Sequence, residues 1–225
     1  MKVLAGGMHM RGLVDWVAEE GAAFESQALT AEALEAVQED VARLQWTPQF
    51  QAEDPWLQYS DALLKGEDLA QLPGIAAVRE ALEREVREQG GRPGLESYEI
   101  NDIKVQHYEA EVDGIATHQD YTEDRYLVMA LTVVGGGPFE LLTARRGGTV
   151  WRRFETIPGS LVLLWAPGLT TGDGDRRPAH RTLHPPVERV SIGLRQIVGT
   201  KLFRGEQRDR GALAAHHDSV ECDSP

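Results

Sequence analysis

The chain has 225 residues, 41% of them apolar and 26% charged, which suits one domain, or one domain with a helical extension, built on a sizeable core. A formal net charge of −13 disfavours a long surface tracking nucleic-acid phosphates, because such surfaces draw most of their affinity from Lys and Arg. The one cysteine, Cys222, excludes an intramolecular disulfide and a thiolate zinc cluster, and it fits a reducing cytoplasm.

The opening MKVLAGGMHMRGLVDW has a single Lys before a short, Gly-interrupted apolar run, and it reads as no signal peptide. No stretch approaches the ~18 uninterrupted apolar residues of a membrane span, so none is expected. Leu29 to Leu44 carries apolar residues at three- and four-residue spacing behind a candidate cap, Thr30, and predicts a helix. Trp46 to Tyr59 is turn-rich, broken by Pro48 and Pro55. Its aromatics Trp46, Phe50, Trp56 and Tyr59 suit either a core or a cover over a site. Ile75 to Gln89 predicts a second helix, opened by Pro73 and closed by Gly90-Gly91.

After Pro93 short runs of Val, Ile, Leu, Tyr and Phe alternate with Gly and Pro turns. Candidate strands are Tyr98–Tyr108, Leu127–Val134, Phe139–Thr143, Thr149–Phe154, Ser160–Trp165, His180–Leu183 and Arg189–Val198. So many short strands in this span predict an antiparallel barrel or jelly roll. The expected layout is one domain: a helical part over 1–95, a jelly-roll core over 96–204 and a flexible polar tail over 205–225.

His118-Gln119-Asp120 is the first feature with chemical content. Residues i and i+2 of an extended segment point the same way, so an imidazole and a carboxylate converge. That is two-thirds of a facial two-histidine, one-carboxylate site of the kind suited to Fe(II). Alone the pattern is weak, since THQDYTED also reads as a solvated turn. The third ligand must come from a distant strand. His180 and His184 are the candidates, and both precede Arg189. A turn between two strands needs about nine or ten residues to set a His and an Arg side by side in one barrel mouth, and this favours His180. His184 sits against Pro185-Pro186 and suits a strand end.

The order His118-Gln119-Asp120, then Pro158-Gly159-Ser160 and an apolar strand, then His180, then Arg189-Val190-Ser191, resembles the Fe(II)/2-oxoglutarate-dependent oxygenase superfamily over residues 96 to 200. The resemblance implies a double-stranded β-helix, or jelly-roll, core with iron held by His118, Asp120 and His180, and with 2-oxoglutarate and O₂ as co-substrates. It assigns Arg189 to the distal carboxylate of 2-oxoglutarate, with Ser191 beside it. A planar guanidinium pairs bidentately with a carboxylate, and a hydroxyl two residues on faces the same way. Tyr108, ten residues before His118, matches a tyrosine the family often places near the co-substrate. Arg195 shares a face with Arg189, in a spacing like that of AlkB-type dealkylases, with Ser where those have Asn; it suits either substrate binding or a salt bridge inside the mouth.

The implied reaction is hydroxylation, desaturation or ring closure. In the related halogenases a small residue replaces the carboxylate that Asp120 supplies here. The expected substrate is a small molecule, such as an amino acid or natural-product intermediate, acted on by a cytoplasmic enzyme. The alternatives are a protein side chain or alkylated nucleic acid as substrate, the latter opposed by the net charge, or a non-enzymatic or zinc-binding jelly roll. The Gly-rich loop Ala166–Pro178 suits either a lid or a plain surface loop, and Tyr121, Arg125 and Trp165 are candidates for a pocket wall. No feature of the sequence speaks to oligomeric state.

Overall fold

Apolar residues at helical spacing build three helices: α1 (Met10–Glu20), α2 (Ala31–Val41) and α3 (Pro73–Gln89). Side chains of His9 and Thr30 accept the Gly12 and Ala33 amides at 3.1 and 3.3 Å and cap α1 and α2. Gly21, at φ +84°, ends α1 in the left-handed conformation that glycine adopts without a Cβ penalty. Ile75, Val78, Leu82 and Val86 of α3 are at most 1% exposed. Each such burial contributes about 1.5–3 kcal/mol. The computed structural model describes residues 2–50, 58–171 and 174–199.

The strands are β1 (Ala22–Glu25), β2 (Thr47–Phe50), β3 (Gln58–Leu64), β4 (Asp102–Tyr108), β5 (Gly114–His118), β6 (Asp124–Val134), β7 (Gly137–Leu142), β8 (Val150–Thr156), β9 (Leu161–Trp165), β10 (Ala179–Leu183) and β11 (Arg189–Ile197). They form a seven-stranded sheet, β1-β9-β6-β11-β4-β3-β2, and a four-stranded sheet, β5-β10-β7-β8, with every pairing antiparallel. The strands β4 to β11 divide between the sheets as a jelly roll requires, so the expected fold is the observed one.

The larger sheet is buried on both faces. Ile103, Val105, Leu127, Met129, Leu131, Leu163, Ile192 and Leu194 pack towards the three helices. Ala22, Val128, Val162 and Leu164, on the opposite face, meet Phe139 and Leu141 of the smaller sheet. The stacked Phe24 and Phe154 rings, 5.0 Å apart, join the edge strands β1 and β8 along one side of the sandwich. The space between the sheets holds the site.

The first 95 residues are not only helical. β1, β2 and β3 extend the larger sheet, and α1 lies where the sequence suggested no element. β1 and β2 have four residues each, and all three strands draw their order from neighbours: β1 pairs with β9, and β3 with β4 and β2. β2 is an edge strand, where Pro48 costs no ladder bond. Tyr98–Asn101, expected to open a strand, instead lead into it, with the buried Tyr98 hydroxyl donating to the Leu127 carbonyl at 3.2 Å. The tail expected over 205–225 lies outside the described residues. No helix among those described is long and apolar enough to cross a membrane.

Candidate active site

β5 and β10 are antiparallel neighbours in the smaller sheet, and their register sets His118 directly opposite His180. Asp120 follows two residues beyond the end of β5. One ligand atom from each of His118, Asp120 and His180 lies within 4.8 Å of the others, with His180 Nε2 3.6 Å from Asp120 Oδ2. Each imidazole turns Nδ1 towards a backbone carbonyl two residues back, that of Ala116 at 2.9 Å and that of Pro178 at 3.1 Å. Nδ1–H donates to those carbonyls, which leaves the Nε2 lone pairs for the space between the residues. Phe139 stacks on the His180 ring at 5.3 Å and helps fix its plane.

The charges suit a divalent cation. Burial and the neighbouring His180 push the His118 pKa down to about 4, so its imidazole is neutral at neutral pH. Burial by itself would raise the Asp120 carboxyl, but His180, His118, Arg195 and Arg177 outweigh it and hold the group below its ordinary range. Two imidazoles and a carboxylate on one face form a donor set that fits Fe(II) and also accepts zinc.

β11 carries the next group. Its register pairs Arg189 with Tyr108, Ser191 with Gln106, Gly193 with Lys104 and Arg195 with Asp102, so all eight share the face turned to the smaller sheet. Arg189 is 2% exposed. Its Nη1 donates to Thr182 Oγ1 at 3.0 Å and its Nη2 to Thr132 Oγ1 at 3.4 Å, and the guanidinium carbon lies 6.0 Å from the centre of the Tyr108 ring. Its Nε is buried without a hydrogen-bond partner, and no carboxylate among the described residues pairs with it. Burial therefore lowers its pKa. A cation buried without a counter-charge costs several kcal/mol, and an anionic ligand would remove that cost. Thr182, which holds Arg189, stands two residues from His180, roughly 7 Å along the strand. A five-carbon dicarboxylate has about that reach. Ser191 and Tyr108 are buried beside Arg189, and burial raises the Tyr108 phenol above its ordinary pKa.

Arg195 lies elsewhere. Its Nε is 3.0 Å from Asp102 Oδ2 and its Nη1 is 3.8 Å from Asp120 Oδ1. It belongs to the carboxylate of the triad rather than to the Arg189 end. His184 is exposed, at φ +41°, with Nδ1 3.2 Å from the Val112 carbonyl, and it is not part of the triad. Trp165 is buried on the helix side, with Nε1–H donating to Thr170 Oγ1 at 3.2 Å. Tyr121 is 47% exposed. Trp46 stacks on His107, away from the inter-sheet face, whereas Tyr59 lies on that face beside Tyr108, ring centres 5.8 Å apart. Trp56 and the side chain of Phe50 lie outside the described residues.

Sequence reasoning did not reach the supports. Thr132, Thr182 and Asp102 come from three strands, and only the His180-x-Thr182 spacing offered a signal. The end of the loop before β10 is also part of the site. Arg177 donates to the Asp120 backbone carbonyl and grips Asp175 through Nε at 2.8 Å and Nη2 at 2.6 Å, while Gln119 Nε2 donates to the Arg177 carbonyl at 2.7 Å. Arg176 donates to the carbonyls of Ala18 and Glu19 at 3.0 and 2.9 Å, favourably placed at the negative end of α1. Residues 175–178 thus touch both arms of the triad, because the Pro178 carbonyl holds His180.

No family model matches the sequence, and no curated protein matches it either. Solved structures do resemble it. A prolyl hydroxylase from Trichoplax adhaerens, in complex with a hypoxia inducible factor oxygen degradation domain peptide fragment, superposes with a TM-score of 0.58 at 16% identity, over 91% of each chain. A prolyl-4-hydroxylase from Pseudomonas putida gives 0.61 at 16% identity, over 84% of this chain and 100% of its own. An oxidoreductase of the 2OG-Fe(II) oxygenase family from Burkholderia pseudomallei gives 0.55 at 15% identity, over 87% and 94%. At this identity the likeness concerns the backbone: the chain has the jelly-roll fold of these oxygenases.

Proposed function

We propose that this chain is an Fe(II)- and 2-oxoglutarate-dependent oxygenase that hydroxylates a small organic molecule, such as an amino acid or a natural-product intermediate, with desaturation or ring closure as variants of the same chemistry. One observation carries the reading. A His-Asp-His cluster and a buried guanidinium without a counter-charge among the described residues face one inter-sheet space, about one five-carbon diacid apart. His118, Asp120 and His180 would hold the metal. With 2-oxoglutarate and O₂ bound, that centre supplies oxidative decarboxylation to succinate and CO₂, coupled to transfer of one oxygen atom into a substrate C–H bond.

The chain's own residues do the rest. Ala116 and Pro178 carbonyls fix the imidazole tautomers, and Arg195 and Arg177 keep Asp120 ionised and oriented. Arg189, set by Thr132 and Thr182, receives the distal carboxylate of the co-substrate, with Ser191 and Tyr108 beside it. Phe139, Leu141, Val128 and Val162 exclude water from the inner side. An acid at position 120 occupies the place a halide needs, which favours oxygen transfer over halogenation.

Anaerobic addition of Fe(II) and 2-oxoglutarate should give the weak visible charge-transfer band of the chelate, and His118→Ala should abolish it. A wild type without the band, or a variant that keeps it, removes the iron assignment in favour of a zinc-binding or non-enzymatic jelly roll. A second reading, oxidation of a protein side chain, is favoured by the Trichoplax structure, which holds a peptide. Succinate release measured across metabolites and across peptides separates the two.

A further inference from the structure

On the inter-sheet face, where β4 meets β3, lies a second charged group. Lys104 stands on β4 opposite Gly193, two residues from Asp102, whose partner Arg195 is 3.8 Å from Asp120. The Lys104 ammonium is 2.6 Å from Asp61 Oδ2 on β3 and donates to the Tyr59 hydroxyl at 3.2 Å. Tyr59 in turn packs on Tyr108, so the group is continuous with the Arg189 end. Gly193 has no side chain here, and an added Cβ would make only ordinary contacts, with the Lys104 carbonyl oxygen at 3.6 Å and Arg195 Nη2 at 3.8 Å, so the floor beside Lys104 is low. The Lys104 side chain keeps 25% of its exposure and Asp61 11%.

The free valences decide the chemistry. Each Asp61 oxygen has one polar partner, Oδ2 the Lys104 ammonium and Oδ1 the Gln49 Nε2 donor at 3.2 Å. An ammonium has three N–H donors, and Asp61 and Tyr59 use two of them. The Tyr59 oxygen accepts from Lys104, which leaves its proton to donate. The cluster therefore offers two donors side by side, one of them cationic. We infer that Lys104 and Tyr59 form a carboxylate-binding dyad for the primary substrate, which is accordingly a carboxylic acid. The inference rests on the oxygenase reading above. The two carboxylate oxygens would bridge the ammonium and the hydroxyl, and the carbon chain would run along the Gly193 floor towards the triad.

The test uses the Fe(II)-loaded enzyme with saturating 2-oxoglutarate. The probes are free amino acids and dicarboxylic acids, each beside its primary amide, and the readout is stimulated succinate release. At least one acid should stimulate roughly tenfold or more above its amide. Lys104→Met should erase that preference while the 2-oxoglutarate concentration for half-maximal charge-transfer absorbance stays within about twofold of wild type. Lys104→Met leaves Asp61 unpaired and threatens folding, so Tyr59→Phe, which keeps the ion pair and loses one donor, is measured beside it. Its acid-over-amide ratio should fall several-fold. Equal stimulation by acids and amides, or none by any acid, overturns the proposal. So does a tenfold weaker grip on 2-oxoglutarate in Lys104→Met, since the dyad would then belong to the co-substrate. Failure of the oxygenase reading looks different: the wild type would show no charge-transfer band at all.

Discussion

Replacing Arg189 by Met separates two roles that a buried cation combines. In the free protein the guanidinium is 2% exposed, held by Thr182 and Thr132 and by no carboxylate among the described residues. Met is similar in length and needs no counter-charge. Removing the unpaired charge gains stability, while the two threonines lose a partner at about 1 kcal/mol each. The net expectation for metal-free protein is between no change and a gain of about 2 kcal/mol, or at most roughly 4–8 °C in melting temperature. Binding moves the other way. Losing one partner of a buried, hydrogen-bonded charge pair costs about 2–5 kcal/mol, which is roughly thirty-fold to several-thousand-fold in 2-oxoglutarate affinity. Anaerobic titration of the charge-transfer band gives the second number and a thermal melt of the free protein gives the first. An Arg189→Met protein that binds 2-oxoglutarate as wild type does, that loses Fe(II) and 2-oxoglutarate equally, or that melts more than about 10 °C lower would refute the assignment.

Three other perturbations test the surroundings of the site. His118 titrates at about 4 in the folded chain against about 6.5 unfolded, so below about pH 6.5 the unfolded chain takes up a proton that the folded one refuses. Metal-free protein should therefore lose stability as pH falls from about 6.5 towards 4, and His118→Gln should flatten that dependence; equal slopes of urea midpoint against pH would contradict the burial argument. Arg177→Ala removes the hold on the Asp120 carbonyl and should weaken Fe(II) binding by about 10- to 100-fold with little change in melting temperature, whereas unchanged metal affinity would reduce Arg177 to a loop staple. Gly135 sits at φ +59°, and an added Cβ would lie 1.7 Å from the Glu188 carbonyl oxygen, next to Arg189. Gly135→Ala should cost about 3 kcal/mol or more, a drop of roughly 6–12 °C, and a melt within a degree of wild type would show that the turn relaxes freely.

What the sequence determined by itself was the inventory and its order. His118, Asp120, a downstream His, Arg189 and Ser191 are legible because a residue's chemistry and its spacing along an extended segment are local properties. The strands from β6 onward are legible for the same reason, as runs of Val, Ile and Leu between Gly and Pro turns. β5 was harder to see as a strand of its own, since one of its five residues is fully buried and its polar end continues into the HxD turn. β1 and β2 escaped because edge strands of four residues take their order from partners, β9 and β3, rather than from their own pattern, and β3, between β4 and β2, has Ser60 and Asp61 interrupting its apolar run.

The tertiary structure decided what depends on register. It set His180, not His184, opposite His118, and it turned Arg195 to Asp102 and Asp120 while leaving Arg189 without an acid among the described residues. It also chose the supports: Thr132 from β6 and Thr182 from β10 under Arg189, and Lys104 beside Tyr59 and Asp61 from β3. Apart from Thr182 and Arg189, seven positions apart, these pairings join residues dozens of positions apart. A shift of one residue in any ladder would turn every side chain of that strand to the other face, so they are fixed by the hydrogen-bonded sheets and not by any stretch of chain.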